Sequence, residues 1–294
     1  HQAQRPQQAP KSRPRAGRIL RTEDWSPTPE ATDGEASNPG PCHEGGGTRV
    51  SSVNATSLRT QLHQVLALEG DAILVSEARA TESMQRRLKV LIEKEGRNVV
   101  WGAPRPRRRA GGRVRPGGLA LITHPHLMAR LVNPTSEEGW RHFHDGRLLH
   151  TAIAIGEHTV HIVGIYGFTN AWRDRGQRQY NEELLKEALR VIASLGNVPV
   201  LLAGYLNTTV AQSPALAAAL AAGSLVDFAQ LQANISGTEP LPTCFVRDTS
   251  VGSRIDHIMG NAVAALAFQG FGHSSTCHVP THVAIECDLN ISFS

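Results

Sequence analysis

Ser253-Arg254-Ile255-Asp256-His257-Ile258, followed further on by Pro280-Thr281-His282, is the stretch on which the fold assignment turns. The two runs belong to predicted strands over Arg254–Met259 and His282–Leu289. A carboxylate on one strand end and an imidazole on the next can meet at a sheet edge, where Asp256 would hold the His282 ring as a phosphate ligand. That pairing points to phosphodiester chemistry.

Upstream, short apolar runs alternate with amphipathic segments, which is the pattern of an α/β domain. Leu58, Leu62, Val65 and Leu66 fall at helical spacing behind the cap candidates Thr56 and Ser57, and Gly70 closes the segment. Ala72-Ile73-Leu74-Val75 reads as a buried strand ending at Ser76-Glu77, and Met84, Leu88, Leu91 and Ile92 make a second helical stripe. Strands are predicted over Asn98–Trp101 and Gly118–Thr123. Leu148–Ile155 and Thr159–Tyr166 flank Gly156-Glu157-His158, a hairpin signal that requires antiparallel pairing and hence a mixed sheet. Leu184, Leu185, Ala188, Leu189 and Ile192 form a third helical stripe. It precedes a buried strand, Val198–Ala203, that runs into Gly204-Tyr205-Leu206-Asn207. Ser213-Pro214 opens an alanine-rich helix with proline at its first position.

The chain has 294 residues, 40% of them apolar, enough for a sizeable core in one α/β domain. Residues 1–50 are rich in Gln, Pro, Arg, Ser and Gly and lack apolar periodicity, so they read as a disordered leader before a domain over 51–294. A net charge of +4 says little at this length; where the arginines fall says more. Arg105, Arg107, Arg108, Arg109, Arg113 and Arg115 crowd a Pro- and Gly-interleaved loop over 104–117 that cannot pack into a core. Such a loop either lies along phosphates, releasing counterions, or is a solvated insertion with no ligand. Four cysteines with no C-x-x-C pair and no histidine at zinc spacing suit a reduced intracellular protein, nuclear or cytoplasmic. No apolar run reaches the roughly 18 residues that span a bilayer, so no membrane is expected. A chain beginning at His1 reads as a piece of a longer one, and nothing in it specifies an oligomeric state.

Polar residues recur at the predicted strand ends: Asn54, Glu77, Tyr166, Asn207, Asp256 and His282. Strand termini at one sheet edge are where α/β proteins assemble sites from residues distant in sequence. Each residue alone also has a plain structural reading. Asn54 can start a helix, Glu77 can be a solvated turn acid, and Tyr166 a half-buried aromatic.

Taken in order, the motifs are Val53-Asn54, Ser76-Glu77, Gly117-Gly118-Leu119-Ala120, Ile165-Tyr166-Gly167, Arg178-Gln179-Tyr180 and Ala203-Gly204-Tyr205-Leu206-Asn207. Pro242-Thr243-Cys244-Phe245 and the two runs quoted above complete the series. Together they resemble the endonuclease/exonuclease/phosphatase superfamily, and within it the endonuclease domains of non-LTR retroelements. The resemblance implies an α/β four-layer sandwich, two mixed β-sheets face to face with helices outside. It implies a metal-dependent phosphodiesterase acting on nucleic acid, DNA rather than RNA. Glu77, assisted by Asn54, would hold Mg²⁺, with Mn²⁺ as a substitute; Asn207, His282 and Tyr166 would contact the scissile phosphate, with Asp256 orienting His282. Two positions depart from the pattern. Tyr205 stands where the family has the aspartate that positions or deprotonates water, and Thr281 replaces a carboxylate that helps the metal site. A phenol with an ordinary pKa near ~10 is a poor base at neutral pH, and loss of a general base costs about 10²- to 10⁴-fold in rate. Two functions therefore stand side by side: an endonuclease-type hydrolase, and a degenerate domain that binds nucleic acid without cleaving it.

Overall fold

A computed structural model describes residues 47–104, 118–245 and 252–291. In chain order the elements begin with β1 Thr48–Asn54, α1 Leu58–Leu66, β2 Ala72–Ser76, α2 Glu82–Lys94, β3 Asn98–Trp101, β4 Leu119–Thr123 and β5 Met128–Leu131. There follow α3 Glu137–His144, β6 Leu148–Ile155, β7 His158–Tyr166, α4 Arg175–Ser194, β8 Val200–Tyr205, a 3-10 turn Val210–Gln212 and α5 Pro214–Ala221. The last are β9 Val226–Asp227, α6 Phe228–Ser236, β10 Cys244–Phe245, β11 Gly252–Ser253, β12 Asp256–Gly260, α7 Ala262–Leu266, β13 Phe268–Val279 and β14 His282–Leu289. One sheet runs β11-β10-β14-β1-β2-β4-β3, with β13 also paired to β14, and the other β5-β6-β7-β8-β12-β9. Both are mixed, because β1/β2 and β7/β8 are parallel within otherwise antiparallel pairings.

Strand periodicity decides which side chain goes where, since successive residues face opposite sides. In β2, Ala72 and Leu74 point into the space between the sheets, while Ile73 and Val75 pack beneath α1 and α2 with Leu58, Val65, Leu88 and Ile92. In β8, Leu201 and Ala203 join the inter-sheet core, and Val200 and Leu202 meet Leu184, Leu185 and Ala188 of α4 and Leu216 of α5. The order is therefore helices, sheet, sheet, helices, the expected four-layer sandwich. Helix starts carry their own chemistry: the side chains of Ser136, Asp174, Ser213 and Asn261 each accept a backbone N–H from the first turn of α3, α4, α5 and α7.

The predicted hairpin is present, with Ile155 paired to His158 across Gly156-Glu157. Its second strand begins at His158, one residue before the expected start. Strand β1 begins at Thr48, ahead of the expected domain boundary. Strand β8 starts at Val200 rather than Val198, because the Val198 carbonyl accepts from Asn261 Nδ2 in a loop. Leu91, counted in the apolar stripe of α2, is 47% exposed. Residues 1–46 of the expected leader, and Arg105, Arg107, Arg108, Arg109, Arg113 and Arg115, lie outside the described residues. No described helix is long and apolar enough to cross a membrane.

Candidate functional site

Strand direction brings the polar strand ends together. Asn54 and Ser76 are register partners at the C-terminal ends of parallel β1 and β2, and Glu77 follows directly. Tyr166 and Tyr205 are likewise partners at the ends of parallel β7 and β8. The antiparallel strands enter at the same end: Asp256 opens β12 opposite Tyr205, and His282 opens β14. Ser76 joins the two sheets here, its buried hydroxyl lying 3.4 Å from the Ile165 carbonyl and 3.3 Å from the Tyr205 N–H. The close approach of β7 and β8 depends on Gly204, which sits at φ +123 and whose missing Cβ would lie 2.2 Å from the Ile165 carbonyl oxygen.

His282 and Asp256 form the predicted pair, with His282 Nδ1 donating to Asp256 Oδ2 at 3.0 Å. Asp256 is buried and also accepts from Thr243 Oγ1 at 2.9 Å, while the same hydroxyl accepts the backbone N–H groups of Ile255 and Asp256. Burial opposes a charge on the His282 ring, but hydrogen bonds to Asp256 and Cys244 outweigh it and lift its pKa to about 10. The Asn54 amide nitrogen, 3.4 Å from Nε2, suits a neutral ring, and the Cys244 sulfur at 3.7 Å suits a charged one. The carboxylate on Nδ1 decides between them in favour of the imidazolium.

Glu77 is reached from this pair through two stacked tyrosines. Tyr205 meets the His282 ring edge to face at 5.2 Å and stacks on Tyr166 at 5.7 Å, and the Tyr166 hydroxyl donates to Glu77 Oε1 at 3.0 Å. The other carboxylate oxygen, Oε2, accepts from the guanidinium of Arg79. Tyr166 is fully buried and its pKa is pushed up to about 12, by burial first and by the Glu77 charge second. Its hydroxyl is thus tied to Glu77 in this structure. Asn207 is similarly occupied: Oδ1 accepts from Tyr205 OH at 2.9 Å, and Nδ2 donates to the Phe168 carbonyl at 2.5 Å. Burial, then the Asp256 charge, drives the Tyr205 phenol well above its ordinary pKa. At neutral pH it is a donor and no base.

A bound Mg²⁺ requires several oxygen donors, typically one or two carboxylates with water and substrate oxygens. Here Glu77 has both oxygens engaged, one by a guanidinium whose charge opposes a dication at the same carboxylate, and Asn54 Oδ1 accepts the Thr56 N–H at 3.0 Å. Among the described residues, no group of three His, Cys, Asp or Glu side chains could hold a metal. As arranged, these residues do not fit the Mg²⁺ or Mn²⁺ ion that the resemblance implies.

Four contributors lay outside the sequence expectation. Arg79 caps Glu77, Thr243 and Cys244 contact the Asp256–His282 pair, and Arg147 donates to the Tyr166 and Gly167 carbonyls. The Arg147 guanidinium lies over the Tyr166 and Phe168 rings at 4.4 and 4.3 Å from their centroids, with its pKa drawn down by burial. Only Thr243 and Cys244 had a signal, as part of a quoted motif with no role attached.

No protein-family profile matches the chain, and no curated protein does. Solved structures do. A 3'-5' exonuclease from Neisseria meningitidis superposes with a TM-score of 0.63 at 15% identity, covering 82% of this chain and 99% of its own. An AP endonuclease from Archaeoglobus fulgidus gives 0.62 at 15% identity over 83% of this chain and 100% of its own. A 3' phosphatase from Neisseria bound to a product DNA hairpin gives 0.60 at 15% identity over 82% and 99%.

Proposed function

We propose that this chain, whose fold is that of the endonuclease/exonuclease/phosphatase superfamily, is a degenerate member that binds nucleic acid by its phosphates and does not cleave it through a metal ion. The observation that carries the reading is the Arg79 guanidinium on Glu77, a resident cation on the carboxylate where the family resemblance would put Mg²⁺. Two consequences support it. The Tyr205 phenol donates to Asn207 and cannot take a proton from water at neutral pH. The His282 ring and the Arg79 guanidinium, each set against one carboxylate, place cationic N–H donors near the strand ends, which suits hydrogen bonding to an anionic phosphodiester. DNA is the first ligand to test, because a neighbour of this fold holds a DNA hairpin. The Arg105–Arg115 segment adds sequence-independent attraction for phosphates. The Gly117–Ala120 and Ser253–Ile258 motifs favour retroelement-type endonuclease domains as the preferred relatives within that superfamily.

A metal-dependent hydrolase is the second reading, favoured by the intact Asp256–His282 pair. One experiment separates the two: supercoiled DNA, single-stranded DNA and RNA incubated with the protein in Mg²⁺, Mn²⁺ or EDTA, with binding and cleavage both followed. The proposal expects binding that survives EDTA and no turnover. Robust Mg²⁺-dependent cleavage by the natural chain would sink it.

A further inference from the structure

The segment leaving the site carries aromatic and cationic side chains. After Tyr166 and Gly167, the chain passes Phe168, whose carbonyl receives Asn207, and reaches Trp172 just before α4. Trp172 is 50% exposed, with the Arg173 guanidinium over its ring at 3.8 Å. Tyr180, on α4, is 51% exposed and packs against Phe168 with ring centroids 5.8 Å apart. Arg178 fixes the loop, donating from Nε to the Ala171 carbonyl at 3.2 Å and from Nη2 to the Trp172 carbonyl at 2.8 Å. Within 172–180 the charged residues are Arg173, Arg175 and Arg178 against Asp174 alone, and Asp174 is engaged as the helix cap.

An isolated exposed tryptophan is unremarkable on a protein surface. This one differs in three ways: one face is already held by a cation, the loop beneath it is pinned, and the loop is continuous with the site. We infer that Trp172 is a stacking platform for an unpaired base, with Arg173 and Arg175 taking the flanking phosphates of a single-stranded segment that runs into the site. Bases stack on aromatic faces regardless of sequence, and a guanidinium behind the ring strengthens it as a platform while attracting the backbone. The inference rests on the nucleic-acid reading of the site and adds the form of the ligand: single-stranded or unstacked, where a paired duplex would keep its bases out of reach.

The test is the affinity of the full chain for a labelled single-stranded oligonucleotide and for a duplex of equal length, both in EDTA at fixed salt. The variants are Trp172→Ala and Trp172→Phe. Trp172→Ala is expected to weaken single-strand binding about fivefold to a hundredfold, the range for losing one stacked base. Trp172→Phe should restore most of the loss, and duplex binding should change little. Equal single-strand affinity for Trp172→Ala and the natural chain would overturn the platform while leaving nucleic-acid binding intact. Failure of the natural chain to bind either oligonucleotide would overturn the platform and the function reading together, as would preferential capture of an acidic peptide at Trp172.

Discussion

Arg79 lies against Glu77 from only two positions along the chain, and both residues hold left-handed backbone, at φ 49 and φ 56. Side chains other than glycine seldom adopt that region, so the pairing reflects a backbone set to fold the guanidinium back onto the carboxylate. The nitrogen Nε of Arg79 is buried without a hydrogen-bond partner among the described residues. That cost is tolerated while Nη2 neutralises a buried acid.

Removing the guanidinium should therefore release Glu77. Arg79→Ala is expected to bind Mn²⁺ more tightly than the natural chain by calorimetry, and Glu77→Gln added to it should abolish the gain. Equal Mn²⁺ affinity in the natural chain and Arg79→Ala would show that the arginine excludes nothing.

The strand ends were legible because β2 and β8 are short apolar runs whose terminal polar residues stand out, and parallel pairing then forces Asn54, Glu77, Tyr166 and Asn207 to one edge. The Arg79 cap was not legible, because spacing alone carries no sign of a positive φ at two non-glycine positions. Tyr166 stands at its expected strand end, but its hydrogen bond to Glu77 was not legible, because burial is a property of the layer above it. Strand β13 left little trace, since Gly270, Gly272, Ser274 and Ser275 break apolar alternation and its pairing with β14 shifts register twice.

Stability should peak near neutral pH. The His282 pKa rises from 6.5 to about 10 on folding, so its contribution is complete below pH 6.5 and is lost as pH climbs through 10. His150 works in the opposite sense. Burial, then the neighbouring His161, lowers its pKa from 6.5 to about 4, so stability is gained as pH rises across that interval. Urea midpoints should increase from pH 4 to 6.5 and decrease from 6.5 to 10, and Asp256→Asn should flatten the alkaline limb. An alkaline limb unchanged in Asp256→Asn would remove His282 as its source.

Gly204 permits the contact between β7 and β8 beneath the two tyrosines. Gly204→Ala would require an L-residue at φ +123 with its Cβ 2.2 Å from the Ile165 carbonyl oxygen. Backbone strain of this kind costs about 1–3 kcal/mol before the clash is added. Thermal unfolding should drop accordingly, whereas Gly156→Ala, at φ +58 in the open hairpin turn, should cost less because nothing lies within 4 Å of the added methyl. Equal losses at the two positions would mean that the strands can move apart without penalty.

Placing an acid at 205 should be harder than the single replacement suggests. Tyr205→Phe removes only the hydroxyl, leaving Asn207 Oδ1 without its donor, at a cost of about 1–3 kcal/mol. Tyr205→Asp also removes the ring that stacks on Tyr166 and meets His282, and loss of a buried aromatic costs about 3–5 kcal/mol. The new carboxylate would stand opposite Asp256 across the β8/β12 pair, where like charges in a buried setting oppose each other. Denaturant unfolding should rank the natural chain above Tyr205→Phe and Tyr205→Phe above Tyr205→Asp. Cleavage should not return in Tyr205→Asp alone while Arg79 still occupies Glu77; a Tyr205→Asp protein as stable as the natural chain, or one that cuts DNA with Mg²⁺ while keeping Arg79, would show that the tyrosine and the arginine do not together hold the site closed to a metal.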